Sequence, residues 1–177
     1  DLCDRSAVKN FFSETSPDVV ILCAAKVGGI SSHLQLPGEF IEQNLTIETN
    51  VISEAYLHHT QELLFLGSSC IYPRDCPQPI DENFLLSGPL ETSNRPYAIA
   101  KIAGIEMCWA YNRQYGTQYV TVMPSNIYGP FDNYDPEHSH VIPGLLRRVH
   151  QARIKGEKSD ESSERRIAGE PEKVHRV

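Results

Sequence analysis

Tyr97 and Lys101 lie four residues apart in the run Arg95-Pro-Tyr-Ala-Ile-Ala-Lys101, one turn apart if the segment is helical. A tyrosine is a poor acid near neutral pH, with an ordinary pKa of about 10. A lysine ammonium one turn away favours the phenolate and lets the phenol trade protons with a carbonyl oxygen. The spacing alone is a weak signal: with 8 tyrosines in 177 residues, chance supplies about 0.3 such pairs. Ser68, in the strand-end run Gly67-Ser-Ser-Cys70 that precedes the pair, strengthens the reading.

These groups need a frame, and the chain supplies alternating strand and helix patterns from Asp1 to Val149. A short helix is expected over 6–13, with Asp4 as its N-cap. Residues 18–25 form a continuous apolar strand, the type buried on both faces of a parallel sheet. Gly28-Gly29 breaks the chain, and a long helix follows over 39–59. Leu63–Leu66 is the next strand, and 73–94 is a loop with four prolines. The helix over 96–115 has proline in its first turn and Gly116 just past its end. Residues 119–123 form a further strand, closed by Pro124, and a helix starts at Val141. There is no internal repeat. Repeated strand–helix units imply a doubly wound α/β sheet, Rossmann-like, with ligands at the carboxyl ends of its strands. Ala24-Ala25-Lys26, Ser68-Ser69-Cys70 and Ser125-Asn126-Ile127-Tyr128 all fall at such ends.

Composition narrows the function classes. The formal charge is −7 and the pI about 5.5, so nucleic acid is not an expected partner, although a local basic pocket could still take a small anion. The longest strongly apolar run, 19–25, is too short to span a bilayer, and no secretory signal opens the chain. Five cysteines in irregular spacing, without a C-x-x-C pair, fit reduced thiols in a cytoplasmic protein; no metal site is expected.

Both ends have the look of cut ends. The chain opens at Asp1-Leu-Cys-Asp4, inside what reads as a strand-to-helix junction. None of the 11 glycines forms G-x-G-x-x-G or G-x-x-G-x-x-G, the turn that seats a dinucleotide pyrophosphate. The expectation is that a first strand, a phosphate loop and a second strand lie upstream. From Gln151 to Val177 about half the residues are charged and the apolar ones lack a period, so 151–177 is expected to be a disordered or unrelated tail. Residues 1–150 then form the central part of the α/β domain.

Several strings resemble a known family. Asp1-Leu2, Ala24-Ala25, Ser68-Ser69 and Tyr97-x-x-x-Lys101 resemble an extended short-chain dehydrogenase/reductase. More narrowly, Ala25-Lys-Val-Gly-Gly29, Phe65-Leu-Gly-Ser-Ser-Cys-Ile-Tyr-Pro73 and Pro96-Tyr-Ala-Ile-Ala-Lys-Ile-Ala-Gly104 look like the GDP-L-fucose synthase family. So do Met123-Pro-Ser-Asn-Ile-Tyr-Gly-Pro130 and Ser139-His-Val-Ile-Pro143. The likeness runs from Asp1 to about Arg148. It implies an NADPH-dependent enzyme that epimerises C3 and C5 of GDP-4-keto-6-deoxy-D-mannose and reduces its C4 ketone. By resemblance Tyr97 is the reducing acid, assisted by Lys101 and hydrogen-bonded by Ser68. The same resemblance implies Cys70 as the epimerising base and His140 as the acid. Asp1, Leu2, Ala24, Ala25, Leu66, Gly67, Ser68, Ser69, Lys101, Pro124, Asn126, Ile127 and His140 would contact the cofactor, and Arg148 the substrate diphosphate. The two long helices would pair across a homodimer.

Each assignment has a plainer alternative. Tyr97 and Lys101 could be an exposed pair on a helix, and Ser68 and Ser69 simple turn formers. Cys70 could be an inert buried thiol, the usual state of cysteine, and Cys76 and Cys108 are read that way. His140 could cap the helix that follows it, and His138 and His150 are read as surface residues. Asn50 is either a support for the site or an ordinary polar helix position. Lys26 and Gly28-Gly29 either floor the pocket or turn the chain. Spacing does not decide between Arg147 and Arg148. At the level of function, the alternatives are another nucleotide-sugar epimerase or dehydratase, and a chain that is inactive by itself and keeps only its oligomer contacts.

Overall fold

A computed structural model describes residues 1–136 and 139–156. Contacts divide the chain into two units, Asp1–Ile127 and Tyr128–Val177. The first contains α1 (Arg5–Thr15), β1 (Val19–Leu22), α2 (Ile30–Gln35), α3 (Pro37–Leu57), β2 (Glu62–Leu66), α4 (Arg95–Tyr115) and β3 (Gln118–Val122). The described part of the second contains α5 (Val141–Lys155).

The helix ends follow from local chemistry. Asp4 caps α1 by accepting hydrogen bonds from the amides of Ser6 and Ala7. Proline sits in the first turn of both α3 and α4. Gly116 ends α4 in the left-handed region at φ 71°, where a Cβ would be strained. The six-residue α2, just after Gly29, was not foreseen; it is too short for its periodicity to stand out.

The strands form a parallel sheet in the order β1-β2-β3, with Val20 opposite Leu63 and Leu63 opposite Tyr119. Leu22, Leu63, Phe65 and Tyr119 join Val8 and Phe12 of α1, Val51, Ile52 and Ala55 of α3, and Ile102, Ile105 and Cys108 of α4 in one core. The other pleat is open, and this corrects the expectation for β1. Val19 and Ile21 are 55% and 60% exposed, as is Val120 of β3 at 55%. All three point away from the helical layer, towards the face that a second layer covers in doubly wound folds.

The expected change of character at Gln151 falls inside α5, which continues to Lys155. Arg153 and Lys155 lie in its last turn, where cations suit the carbonyl end, and Gly156 closes it at φ 69°. Charge density hid the last turns of this helix, after Val149, from a reading based on apolar period. The remainder of that stretch, 157–177, lies outside the described residues, as does His138.

Candidate functional site

The site residues of the first unit gather where β2 ends beside the start of α4. The Gly67 amide donates to the Val122 carbonyl at 2.8 Å, joining the ends of β2 and β3. Ser68 is extended, and its hydroxyl accepts from the Cys70 amide at 3.3 Å, turning the chain into a 3₁₀ segment, Ser69–Ile71. The same hydroxyl lies near enough to the Tyr97 phenol to favour its charged form. Cys70 stands close enough to bear on that phenol as well. The structure therefore brings Ser68, Cys70 and Tyr97 together, and Tyr97 and Lys101 are buried, 9% and 2% exposed.

Burial, Cys70, Ser68 and Glu48, rather than Lys101, are the influences that set the Tyr97 phenol. Burial is the largest influence on Tyr97, and with neighbouring Cys70 and Glu48 it pushes the phenol up to about 12, against the opposing influence of Ser68. The Lys101 ammonium lies 6.0 Å from the Tyr97 ring centre and 4.7 Å from that of Phe65. It is paired with Glu48 of α3 at 3.3 Å. Burial lowers the Lys101 pKa while Glu48 holds it up. Burial raises Glu48 to about 7, against the opposing pull of Lys101. Tyr97 is thus kept as a protonated phenol, the form in which it can donate.

Three contributors were missed. Glu48 sits mid-helix, where an acid ordinarily reads as solvated surface, yet it is 2% exposed. Asn44, fully buried, accepts from the Lys26 amide at 2.9 Å and donates to the carbonyls of Lys26 and Phe40 at 3.1 and 2.7 Å, so it pins the segment after β1. His33 of the unforeseen α2 packs against Phe40 at 4.0 Å and edge-on against Tyr97 at 5.4 Å between ring centres. A buried amide or acid in a helix middle is the one available signal, and it needs the helix phase to be read.

The other candidates are distributed as follows. Asp1, Leu2 and Ala24 line a cleft of about 390 Å³ with Phe11, Ile21 and Val51. Asn50 is buried and donates to the Leu2 carbonyl at 2.9 Å, so it ties down the opening segment rather than standing as a plain polar position. Ala25, Leu66, Ser69 and Pro124 are half-buried at strand ends; Asn126 and Ile127 are exposed. Cys108 is fully buried, and burial pushes its thiol up to about 12, in keeping with an inert role; Cys76 is half-buried. Lys26 pairs with Glu39.

In the second unit, His140 is the N-cap residue of α5, yet its side chain makes no capping hydrogen bond. Arg147 donates to the Tyr134 carbonyl at 2.6 Å, while Arg148 and His150 are exposed. No helix among the described residues is long and apolar enough to cross a membrane.

A model of the NAD dependent epimerase/dehydratase family matches residues 1–167. A GDP-L-fucose synthase of Escherichia coli (strain K12) is 56% identical over 152 residues, 86% of this chain and 47% of that protein. GDP-L-fucose synthase 1 of Arabidopsis thaliana is 54% identical over 156 residues, 88% and 48%. The crystal structure of a GDP-L-fucose synthetase from Naegleria fowleri bound to NADP superposes with a TM-score of 0.82 at 31% identity, covering 89% of this chain and 48% of that one. The chain spans about half the length of the curated relatives it matches.

Proposed function

We propose, from the premise that this chain belongs to the NAD dependent epimerase/dehydratase family, that the whole protein acts as a GDP-L-fucose synthase. It converts GDP-4-keto-6-deoxy-D-mannose to GDP-L-fucose by epimerising C3 and C5 and reducing C4. The cluster of half-buried Ser68 and Cys70 with buried Tyr97 and Lys101, where β2 ends beside the start of α4, carries this reading. The 56% identity to a GDP-L-fucose synthase supports it.

The donor set fits the nicotinamide-ribose end of a dinucleotide: a buried ammonium and a strand-end hydroxyl meet beside a protonated phenol. Ala24, Ala25, Leu66, Gly67, Ser69, Pro124, Asn126 and Ile127 would flank it, with Asp1 and Leu2 towards the adenosine half. When bound, NADPH supplies the hydride for C4. Tyr97 gives its proton to the C4 oxygen and becomes a phenolate, which the Lys101 ammonium stabilises. Ser68, beside the phenol, would donate to the same carbonyl oxygen.

Epimerisation precedes reduction, because the ketone is what acidifies the hydrogens on C3 and C5. Cys70 removes a proton from one face and His140 returns one to the other, leaving each carbon inverted and the redox state unchanged. Arg148 pairs with the diphosphate; a forked guanidinium suits phosphate oxygens. The protein works in the cytoplasm as a homodimer through α3 and α4, a reading supported by exposed Leu57, Trp109 and Tyr115 on those helices.

The test uses full-length enzyme with the 4-keto sugar nucleotide in deuterated water. Cys70→Ser should lower deuterium incorporation at C3 and C5 by roughly 100-fold or more, the usual range for a lost general base. It should slow NADPH-dependent ketone reduction far less. Equal losses in both would remove the assigned role of Cys70, and a Tyr97→Phe enzyme that still reduces the ketone would remove that of Tyr97.

A further inference from the structure

The buried polar groups of α3 have distinct destinations. Asn44 holds Lys26, Asn50 holds Leu2, and Glu54 pairs with Arg5 and His58 at 3.6 Å each. Glu48 alone is aimed at the catalytic helix. Its carboxylate meets the Lys101 ammonium at 3.3 Å with both side chains 3% exposed, and neither of its oxygens has another hydrogen-bond donor among the described residues. Room for it is made on α4 by Gly104: a Cβ there would lie 2.8 Å from Glu48 Oε2 and 2.5 Å from Phe65 Cζ. The ammonium is enclosed by Glu48, the Phe65 ring and the Tyr97 ring.

We propose that Glu48 is a positioning residue for the reduction: its carboxylate fixes the Lys101 ammonium beneath Tyr97 and holds both the lysine and the tyrosine in their protonated forms. The proposal rests on the reading of Tyr97 as the reducing acid. The charge balance follows from what faces Glu48. Across on α4 stand Lys101, Tyr97 and Cys108, and all three feel its charge. β2 contributes only Phe65, an apolar ring. A negative Glu48 opposes loss of a proton from Lys101 and from Tyr97 alike, so it extends the pH range over which Tyr97 can donate. Burial raises Glu48 to about 7, so this influence is strong above neutrality and fades below it.

The experiment measures kcat for ketone reduction against pH in full-length wild type and Glu48→Gln. Glutamine keeps an acceptor for Lys101 and removes the charge. The alkaline limb should move to lower pH by about one unit, the low end of what a close charge does. The ratio of wild type to variant should be smallest below pH ~6 and grow above pH ~7. A ratio that stays constant with pH marks a packing role only and overturns the proposal. Glu48→Leu, which leaves the ammonium without an acceptor, should lose at least tenfold in kcat, a loss that the glutamine largely restores. If the leucine enzyme does not fold, the glutamine profile alone decides.

Thermal midpoints give a readout that needs no turnover. A carboxyl whose pKa is raised on folding stabilises below its unfolded value of about 4.5, and that contribution disappears as pH rises through about 7. Wild type should therefore lose stability relative to Glu48→Gln between pH ~5 and ~8; a difference that is flat with pH overturns the proposal. A Tyr97→Phe enzyme that still reduces the ketone would sink the underlying reading, whereas an inactive one beside a pH-independent Glu48→Gln sinks only this inference.

Discussion

At the scale of single residues, two neighbouring arginines of α5 do different work. Arg147 spends its guanidinium on the Tyr134 carbonyl, whereas Arg148 is exposed. If Arg148 meets the diphosphate, Arg148→Ala in the full-length enzyme raises KM for the nucleotide sugar about tenfold, the effect of about 1.4 kcal/mol of lost ground-state binding, with kcat little changed. Arg147→Ala should leave KM near wild type and cost about 1 kcal/mol of stability, that of one hydrogen bond. Steady-state kinetics and denaturant titration separate the two, and a KM rise confined to Arg147→Ala would reverse the assignment. Spacing could not make this choice, because adjacent helix positions differ in direction by about 100° and the sequence does not state the phase.

Elements set the site by how closely they approach. Helices α3 and α4 can bring Glu48 against Lys101 only where Gly104 removes a side chain, and Phe65 occupies the remaining space. Gly104→Ala gains helix propensity of about 1 kcal/mol but drives a methyl to 2.5 Å from a fully buried ring. Overpacking of that kind costs about 1–3 kcal/mol, so the net expectation is a less stable protein with a displaced Glu48. A denaturation midpoint at or above wild type would contradict the packing. Asn44→Ala unpins the segment after β1 by orphaning the Lys26 amide and should cost about 1–3 kcal/mol. The strands and long helices were legible because apolar period, Asp4, Pro96 and Gly116 all act locally. The same local reading passed over Glu48, Asn44 and α2, whose significance lies in what they touch across the fold. It also took β1 as buried on both faces, since an apolar strand looks alike whether or not a second layer covers it.

For the molecule as a whole, what the chain lacks in sequence bears on what it can hold. If Lys101, Tyr97 and Ser68 meet the nicotinamide-ribose end as proposed, the rest of a dinucleotide is less well served, since none of the 11 glycines forms the G-x-G-x-x-G or G-x-x-G-x-x-G turn. Most of the charge on a dinucleotide would therefore find no cradle of amides here, and the net charge of −7 opposes its approach. Binding energy must come from many contacts held in register, and losing the phosphate contacts leaves too few. The open pleat adds a competing outcome. Val19, Ile21 and Val120 expose apolar surface on one sheet face, and β1 is an edge strand of the sheet among the described residues, a template for pairing between copies. The 177-residue chain titrated with NADPH should accordingly show no saturable change in nucleotide fluorescence in the micromolar range. In sedimentation it should run larger than a monomer, its association growing with concentration. Tight NADPH binding by a monodisperse monomer would contradict both parts of this expectation, and would mean that the strand-end cluster alone supplies what a glycine turn otherwise provides.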